Sequence, residues 1–291
     1  MRNHVAEWVL KQIVLRREGG AERDEDESRF DGARQYFEWQ LETSEALFSR
    51  YPNFDVTGKR VLDIGCGVGG RCAYFARRGA AQVVGIDINA DEIALARQVC
   101  AEVRPAASPI IQFLVSRENA AMPELGQFDM VFLVDAMEHV VSPPNILRLA
   151  YEYVKPGGKC CFNTIGWYNY HGSHVGYMPW LNLFFSDETI LNVIRWSVSR
   201  PDYRPTAFDS DPPIERWRGI YNLRDRPGEH LNKITISELK RLVRYTIFRS
   251  ATMRIVPFGS RNPLVRLLNP LRHVPVLQEV FHSGVVVELM K

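Results

Sequence analysis

The sequence lacks the cysteine patterns of a disulfide framework and of a zinc site. Its 291 residues contain five cysteines, and none of them forms a C-x-x-C pair or a Cys/His zinc spacing. An odd number of cysteines without such a framework is typical of reduced thiols in the cytosol. We therefore expect a cytoplasmic protein without structural disulfides.

Long apolar runs and a secretion signal are also missing. No stretch reaches the roughly 20 apolar residues that a membrane-spanning helix requires. The first apolar stretch contains Glu7 and Lys11, which excludes the core of a signal peptide. These absences predict a soluble intracellular protein that can still touch a membrane peripherally.

The chain has little net charge, only +2 at pH 7, so its bulk charge does not indicate a nucleic-acid partner. What it does have is apolar content: 46% of the residues are hydrophobic. At this length, that content can bury the core of one large domain, or of one domain with a cap.

Short apolar runs alternate with helical spacing from residue 60 onwards, which predicts an α/β fold with a mostly parallel sheet covered on both faces. The predicted strands are residues 60–65, 82–88, 109–116, 128–136, 159–164, 250–258 and 284–290. The helices between them include 71–80, 91–103 and 235–246, and Gly79 is expected to stop the first.

The alternation stops after Thr164 and resumes near the C-terminus, so we predict four segments. These are an N-terminal helical lid (1–58), a nucleotide-binding core (59–165), a cap insertion for the acceptor substrate (166–232) and a segment that completes the sheet (233–291). Ligands of open α/β sheets bind at the carboxyl ends of the strands, which a cap in this position covers.

Two helices are predicted outside the alternating region. Residues 5–17 have amphipathic spacing with Val5, Trp8, Val9 and Ile13 on one side. In the cap, Ser186 fits the N-cap of a helix whose first turn is acidic.

The stretch RVLDIGCGVGG, residues 60–70, allows two interpretations. Gly65, Gly67 and Gly70 match the G-x-G-x-x-G fingerprint of dinucleotide-binding proteins, with Asp87 at the right distance for a ribose. Alternatively, Asp63 and the glycines match acid-x-G-x-G-x-G. An acid before the first glycine suits a cofactor's amino group and sits badly beside a pyrophosphate, which favours the second pattern.

Three further motifs follow in order: VVGIDI, FDMVFLVDAMEHV and VKPGGK. Together with the glycine turn, they resemble the class I S-adenosylmethionine (SAM)-dependent methyltransferases. The resemblance is to the small-molecule branch, which includes quinone-precursor and natural-product enzymes. It implies a Rossmann-like seven-stranded sheet with an antiparallel last strand, SAM as cofactor and a small-molecule acceptor.

A hydroxyl oxygen is the favoured acceptor atom. The alternatives are N- or C-methylation, a lipid-linked or glycan acceptor, or a non-catalytic SAM-binding protein. The segment DPPI, residues 211–214, is similar to the DPPY loop of nucleic-acid amino-methyltransferases, but it lies in the cap and not after the fourth strand. We therefore expect no nucleic-acid partner and interpret DPPI as a proline turn.

The resemblance also implies roles for the glycine turn. Asp63 and the backbone of Gly65 would hold the amino group of the methionyl part. Gly67 and Gly69 would let the backbone approach the cofactor closely, and Cys66 would contact it from the same turn.

Further cofactor contacts are implied after the next strands. Asp87 would accept hydrogen bonds from both ribose hydroxyls, and Ile88 would pack on the adenine. Glu118 stands where relatives usually place an Asp that accepts from the adenine amine, with Asn119 beside it. Asp135 would lie under the methionyl end, near the sulfonium.

Three histidines are candidates for the general base that a hydroxyl acceptor needs. His139 follows the fourth strand, and His171 and His174 follow the fifth. Because H-x-x-H alone does not make a metal site, we expect no metal.

Aromatic residues of the cap would form an apolar wall for the acceptor, with Phe184 and Phe185 more typical of the cap's own core. Tyr36 and Trp39 are candidates to line the other side of the pocket.

The stretch 240–273 is basic and contains no Asp or Glu. Its charged residues are Lys240, Arg241, Arg244, Arg249, Arg254, Arg261, Arg266 and Arg272. It predicts peripheral contact with an anionic membrane or a lipid-linked substrate. The alternative is a solvated helix face that balances the acidic loop at 22–27.

Overall fold

The computed structural model describes residues 2–19, 32–117, 122–175, 177–201, 231–260 and 262–291. Glu118, Asn119 and the DPPI segment lie outside these residues. The helices are α1 (Arg2–Gly19), α2 (Ala33–Phe48), α3 (Gly70–Arg77), α4 (Ala90–Val103), α5 (Pro143–Tyr153), α6 (Leu181–Phe184), α7 (Asp187–Val198), α8 (Ile236–Arg244) and α9 (Pro263–Arg266). The strands are β1 (Arg60–Ile64), β2 (Gln82–Asp87), β3 (Ile111–Val115), β4 (Phe128–Leu133), β5 (Val154–Thr164), β6 (Ser250–Val256) and β7 (Gly284–Met290).

The seven strands form one sheet in the order β3-β2-β1-β4-β5-β7-β6. The pairs from β3 to β5 are parallel, and β7 is antiparallel to both β5 and β6. This confirms the predicted mostly parallel sheet with an antiparallel last strand. The chain direction across the sheet reverses between β1 and β4, so the crevice at their carboxyl ends is the natural ligand site.

Side chains of alternate residues build two apolar cores, one on each face of the sheet, because successive residues of a strand point to opposite faces. In β1, Val61 packs with α2, α3 and α4, whereas Leu62 packs with α5 and α8. Asp63, two residues after Val61, therefore points to the α3 side, where it meets Cys72.

Helix caps fix where the helices around the crevice begin. The Asn89 side chain accepts from the backbone N–H groups of Asp91 and Glu92, which starts α4 directly after β2. Ser186 accepts from Thr189 N–H, which confirms the predicted start of α7.

The fifth strand is longer than predicted. The sequence indicated residues 159–164, but β5 begins at Val154. The VKPGGK stretch pairs with the start of β4 across a bulge, where Gly157 has φ +79°. A motif rich in glycine and proline predicts a turn. Pairing with the neighbouring strand β4 makes this one part of the sheet.

The third and fourth strands are each three residues shorter than predicted. The fourth ends at Leu133 and not at residue 136, because Asp135 has φ +51° and turns the chain out of the sheet. The third begins at Ile111 and not at residue 109, because Ser108–Ile110 form a 3₁₀ turn.

The apolar side predicted for α1 coincides only in part with the side that docks, since Ile13 alone of its four residues packs against the rest of the protein. Leu10 and Val14 are buried against α7 in a third apolar cluster, whereas Val5 is 65% exposed and Trp8 is 63% exposed. Apolar residues occur all around this helix, so its periodicity could not identify the face that docks. None of the helices that the structure describes is long and apolar enough to cross a bilayer.

Helices α2 and α3 approach each other closely at Gly70, the first residue of α3. A Cβ atom at this position would collide with the Phe37 carbonyl and lie 2.7 Å from Gln40 Cβ. Gln40 Oε1 also accepts from Gly70 N–H at 3.0 Å. This contact holds α2 over the end of β1.

We predict that Gly70→Ala destabilises the protein by roughly 1–3 kcal/mol, because the extra methyl group forces α2 away from α3. Gly259→Ala is the matched control, since a Cβ there meets no atom within 4 Å and the backbone has no positive φ. Urea unfolding of both variants measures the difference. Equal midpoints for the two variants would contradict the tight helix contact.

Candidate active site

The turn after β1 is a cradle made of backbone. Gly65, Gly67 and Gly69 have φ values of +77°, +51° and +83°, which disfavour other residues. A Cβ on Gly69 would lie 2.5 Å from the Phe113 ring, and Gly65 N–H donates to Ile86 O at 2.8 Å. A backbone hydrogen bond thus fixes the turn to β2, and the neighbouring atoms leave no space for a side chain at Gly69.

Asp63, the penultimate residue of β1, has an incompletely satisfied carboxylate. The side chain is buried, and Oδ2 lies 3.5 Å from the Cys72 thiol. Oδ1 is buried without a hydrogen-bond partner among the residues that the structure describes. Burial raises the pKa of Asp63 to about 7, although the nearby Arg71 guanidinium acts in the opposite direction.

Arg71 is the counter-charge of the site, and the sequence analysis did not single it out. Its buried guanidinium donates to Asp135 through Nη2 and lies 6.0 Å from the Trp39 ring centroid. Nη1 is buried without a partner in the described part of the chain. Its position in the first turn of the helix after the glycine turn is the one signal that could have indicated it.

Asp135 is held at the mouth of the crevice by β5. Its backbone N–H donates to Asn163 Oδ1 at 3.0 Å, and Asn163 Nδ2 donates back to the Asp135 carboxylate. This reciprocal pair fixes the left-handed backbone of Asp135, whose side chain remains half-exposed and faces Arg71.

Asp87, the last residue of β2, lies next to the glycine turn. Its carboxylate accepts from Gly67 N–H at 3.0 Å and from Asn89 N–H at 2.9 Å, which leaves further lone pairs free. Glu92 lies beside it, and burial together with the Asp87 charge raises the pKa of Glu92 to about 7. Ile88 follows Asp87 and is half-buried.

These groups fit the two charged groups at the amino-acid end of SAM, and its ribose. The unpartnered Asp63 oxygen suits an ammonium group, and the unpartnered Arg71 nitrogen suits a carboxylate. The free lone pairs of Asp87 suit ribose hydroxyls. A zwitterionic amino acid joined to a nucleoside therefore meets complementary groups along the crevice.

Two of the three predicted histidines come together. The rings of His139 and His174 lie 5.1 Å apart in an edge-to-face arrangement. His171 is exposed, and its ring lies 4.1 Å from that of Tyr170. The pair that can act on an acceptor is therefore His139 with His174.

Glu138 joins this pair. It is buried, and its Oε2 accepts from the Thr164 hydroxyl at 3.0 Å. Burial, with a smaller effect of the Asp135 charge, raises the pKa of Glu138 to about 8. The sequence analysis missed this residue because glutamate in a short turn is commonly exposed.

Helix α2 brings two aromatic residues close to Arg71. Tyr36 and Trp39 stack with ring centroids 5.6 Å apart, as lining residues of the pocket would. Burial, followed by the Asp135 charge, raises the pKa of Tyr36 to about 12. Both residues are therefore next to the Arg71–Asp135 pair.

The aromatic residues of the cap do not all lie where the sequence analysis expected them. Trp167 is buried with α1 and α7, and Phe185 packs against the same cluster. Phe184 is 65% exposed, so the prediction that it belongs to the cap's core is wrong. Helix α6 has a single turn, in which Leu181 is buried and Phe184 points to solvent.

Comparison with known proteins agrees with this geometry. A family model described as "Methyltransferase domain" matches residues 36–246. The ubiquinone biosynthesis O-methyltransferase of Acinetobacter baylyi is 39% identical over 180 residues, which are 62% of this chain and 70% of the relative. The protein of the same name from Proteus mirabilis is 31% identical over 180 residues, 61% of this chain and 67% of the relative.

Solved structures share the fold at low identity. A SAM-dependent methyltransferase from Mesorhizobium loti is 17% identical, with a TM-score of 0.50, and covers 86% of this chain and 100% of its own. Phosphoethanolamine N-methyltransferase 2 of Haemonchus contortus is 16% identical, with a TM-score of 0.50 over 86% of this chain and 52% of its own. With a matching family model and two relatives above 30% identity, the chain belongs to this methyltransferase family and is a SAM-dependent enzyme.

Proposed function

We propose that the enzyme transfers the methyl group of SAM to a hydroxyl oxygen of a small molecule. The observation that carries this proposal is the His139–His174 pair next to Glu138, since a hydroxyl needs its proton removed and an amine need only arrive unprotonated. The printed names of the relatives, which are O-methyltransferases, support oxygen as the acceptor atom.

The residues of the chain divide the work as follows. Asp63 and Arg71 hold the amino and carboxylate groups of the methionyl part, and Asp87 holds the ribose. Ile88, Cys66 and the region of Glu118 and Asn119 remain proposed contacts of the cofactor. SAM supplies a methyl group bound to a sulfonium sulfur, which leaves as a neutral thioether, so no acid is needed to protonate the leaving group. The protein's task is therefore alignment and the exclusion of water.

The acceptor lies between α2 and the cap loop in this proposal. Tyr36 and Trp39 give this space an aromatic wall, and the histidine pair gives it a polar side. Such a space suits a flat molecule with an aromatic ring and one polar edge.

We further propose that the C-terminal region contacts an anionic membrane. A cavity of about 770 Å³ lies between α8, β6 and the turn before residue 274. Its charged lining is entirely basic: Lys240, Arg244, Arg249, Arg254, Arg272 and His273. A concave surface of one sign attracts the phosphates of lipid headgroups.

Exposed apolar side chains lie close in sequence to residues that line this cavity. Leu264 and Leu267 lie on α9 and the turn after it, and Val276 follows the basic turn; all are at least 70% exposed. Large apolar side chains next to a basic surface are typical of proteins that lie on a bilayer.

We expect the affinity for S-adenosylhomocysteine to rise with pH through about pH 7 and then to level off. The pKa of Asp63 is about 7, so at lower pH the carboxyl is neutral and cannot pair with the ligand's ammonium group. Asp63→Asn should flatten this profile and weaken binding above pH 7 by roughly 10- to 100-fold. Calorimetry measures both effects. Asp55→Asn, which alters an exposed carboxylate before the start of β1, should change neither the pH profile nor the affinity. An unaltered pH profile in Asp63→Asn would contradict the assignment.

Methyl transfer can be followed with SAM labelled in its methyl group and a panel of phenols, each paired with the matching aniline. We expect the label to enter the hydroxyl compounds. His139→Ala and His174→Ala should each lower kcat by about 100-fold or more while binding of S-adenosylhomocysteine persists, because only proton removal is lost. Label in the anilines alone would reject O-methylation, and full activity of both variants would reject the histidine roles.

Membrane contact predicts co-sedimentation with phosphatidylglycerol vesicles, absence of binding to phosphatidylcholine vesicles, and loss of binding at high salt. Arg244→Glu/Arg254→Glu should abolish it. Arg104→Glu/Arg148→Glu changes the net charge equally on exposed residues outside the cavity and should leave it intact. Equal loss in both double variants would indicate a bulk charge effect and not a membrane surface.

A further inference from the structure

The cap loop, residues 165–180, is docked on the segment that precedes β7. The indole Nε1–H of Trp180 donates to Val280 O at 3.1 Å. Asn169 makes a second contact, with His282, and both residues are buried, 1% and 0% exposed. These two residues lie 113 positions apart in the sequence. The position of the cap loop therefore depends on a distant part of the chain.

The side chain of Asn169 bonds to both sides of this contact. Its Nδ2 donates to His282 O and lies 3.3 Å from His282 Nδ1. Its Oδ1 accepts from His171 N–H at 2.9 Å. Because the oxygen faces a backbone donor, the orientation of the amide is fixed and Nδ2 must face His282. One side chain thus connects the cap loop to the segment before β7.

Backbone hydrogen bonds lead from Asn169 to His174. Asn169 O accepts from Gly172 N–H at 2.9 Å, and His171 O accepts from His174 N–H at 2.9 Å. His174 has a φ of +54°, a left-handed conformation that costs free energy and persists only where the surrounding structure imposes it. The turns place its ring 5.1 Å from that of His139.

His282 has the properties that a stable docking partner needs. Burial lowers the pKa of its imidazole to about 4, so the ring is neutral near pH 7. A neutral ring that accepts from Asn169 at Nδ1 carries its proton on Nε2. Nε2 is buried and has no hydrogen-bond partner within the described ranges of the chain. An unsatisfied buried group is costly, and proteins retain such groups mainly at functional sites.

We propose that Asn169 is a positioning residue, which docks on His282 and thereby holds His174 against His139. Its importance for the reaction rests on the proposed O-methylation, in which these two histidines act on the acceptor. Displacing a reacting group by about 1 Å can cost roughly 100-fold in rate. A loop that carries such a group must therefore be anchored, and Asn169 provides the anchor without contacting the acceptor.

Nuclear magnetic resonance of the full chain with isotope-labelled histidine rings tests this role without any acceptor. The signal of His174 is identified by its loss in His174→Ala. In the unaltered protein, His139→Ala should shift this signal, because the field of the adjacent ring is removed. We expect the same substitution to cause no shift in the Asn169→Ala background, because the two rings no longer lie edge to face.

A second variant separates the docking from the local turn. The Asn169→Ser hydroxyl can still accept from His171 N–H, but it is too short to reach His282. It should also lose the His139-dependent shift, and it decides the question if Asn169→Ala does not fold. Asn182→Ala is the matched control, since it removes another cap amide, whose Nδ2 donates to Trp167 O at 2.9 Å. This control should retain the shift.

Calorimetric binding of S-adenosylhomocysteine shows which variants are folded. A shift retained in Asn169→Ser that binds this ligand would overturn the proposal, because the docking would then not position His174. A shift lost equally in Asn182→Ala would also overturn it, because any loosening of the cap would then have the same effect.

Turnover of the hydroxyl compound that takes up label distinguishes this proposal from the proposed function. Asn169→Ala and Asn169→Ser should lower kcat by about 10- to 100-fold and leave the KM for SAM unchanged. If the shift is lost while kcat stays unaltered, Asn169 still positions His174, and the role of the histidines in methyl transfer is wrong.

Discussion

The buried carboxylate of Asp63 is the constraint on which the site depends. An acid near the end of a central strand, at the switch point of the sheet, lies in a buried position where its charged form is poorly solvated. Arg71 compensates it only in part, because this guanidinium also pairs with Asp135. These three groups are therefore short of one positive charge when both carboxyl groups are ionised. In the proposed function, the ammonium group of SAM provides this charge, so that recognition of its amino-acid end depends on the incomplete balance more than on any single hydrogen bond.

Packing on the sheet keeps this electrostatic arrangement dry. Helix α2 lies against α3 at Gly70, where a side chain has no space, and so brings Tyr36 and Trp39 over the crevice. The cap and α1 form a separate apolar cluster around Leu10 and Ile190. Asp63 and Arg71 are buried as a result, and burial strengthens the charge interactions between these groups.

The parts of this structure that depend on neighbouring residues in the sequence could be predicted. The glycine turn, Asp63, Asp87 and the strand–helix alternation are local patterns, and the seven strands with an antiparallel last strand followed from the family resemblance. Arg71 and Glu138 could not be predicted, because what makes them important is burial, which only packing creates. The inner face of α1 was predicted only in part for a related reason: a helix with apolar residues all round gives no preference until its partner is known. The encounter of His139 with His174 depends on how the cap loop returns to β4, which no spacing in the sequence indicates.

The charges of the site also bear on how it can hold a positively charged cofactor. The described residues here include three carboxyl groups, those of Asp63, Asp135 and Glu138, and one guanidinium, that of Arg71. When all three carboxyl groups are ionised, the formal charge of this set is −2. Burial raises the pKa of Asp63 to about 7 and that of Glu138 to about 8, so near neutral pH protonation reduces this charge while the crevice holds no ligand. In the proposed function, the ammonium and sulfonium groups of SAM bring positive charge to the carboxyl groups and favour their ionised forms.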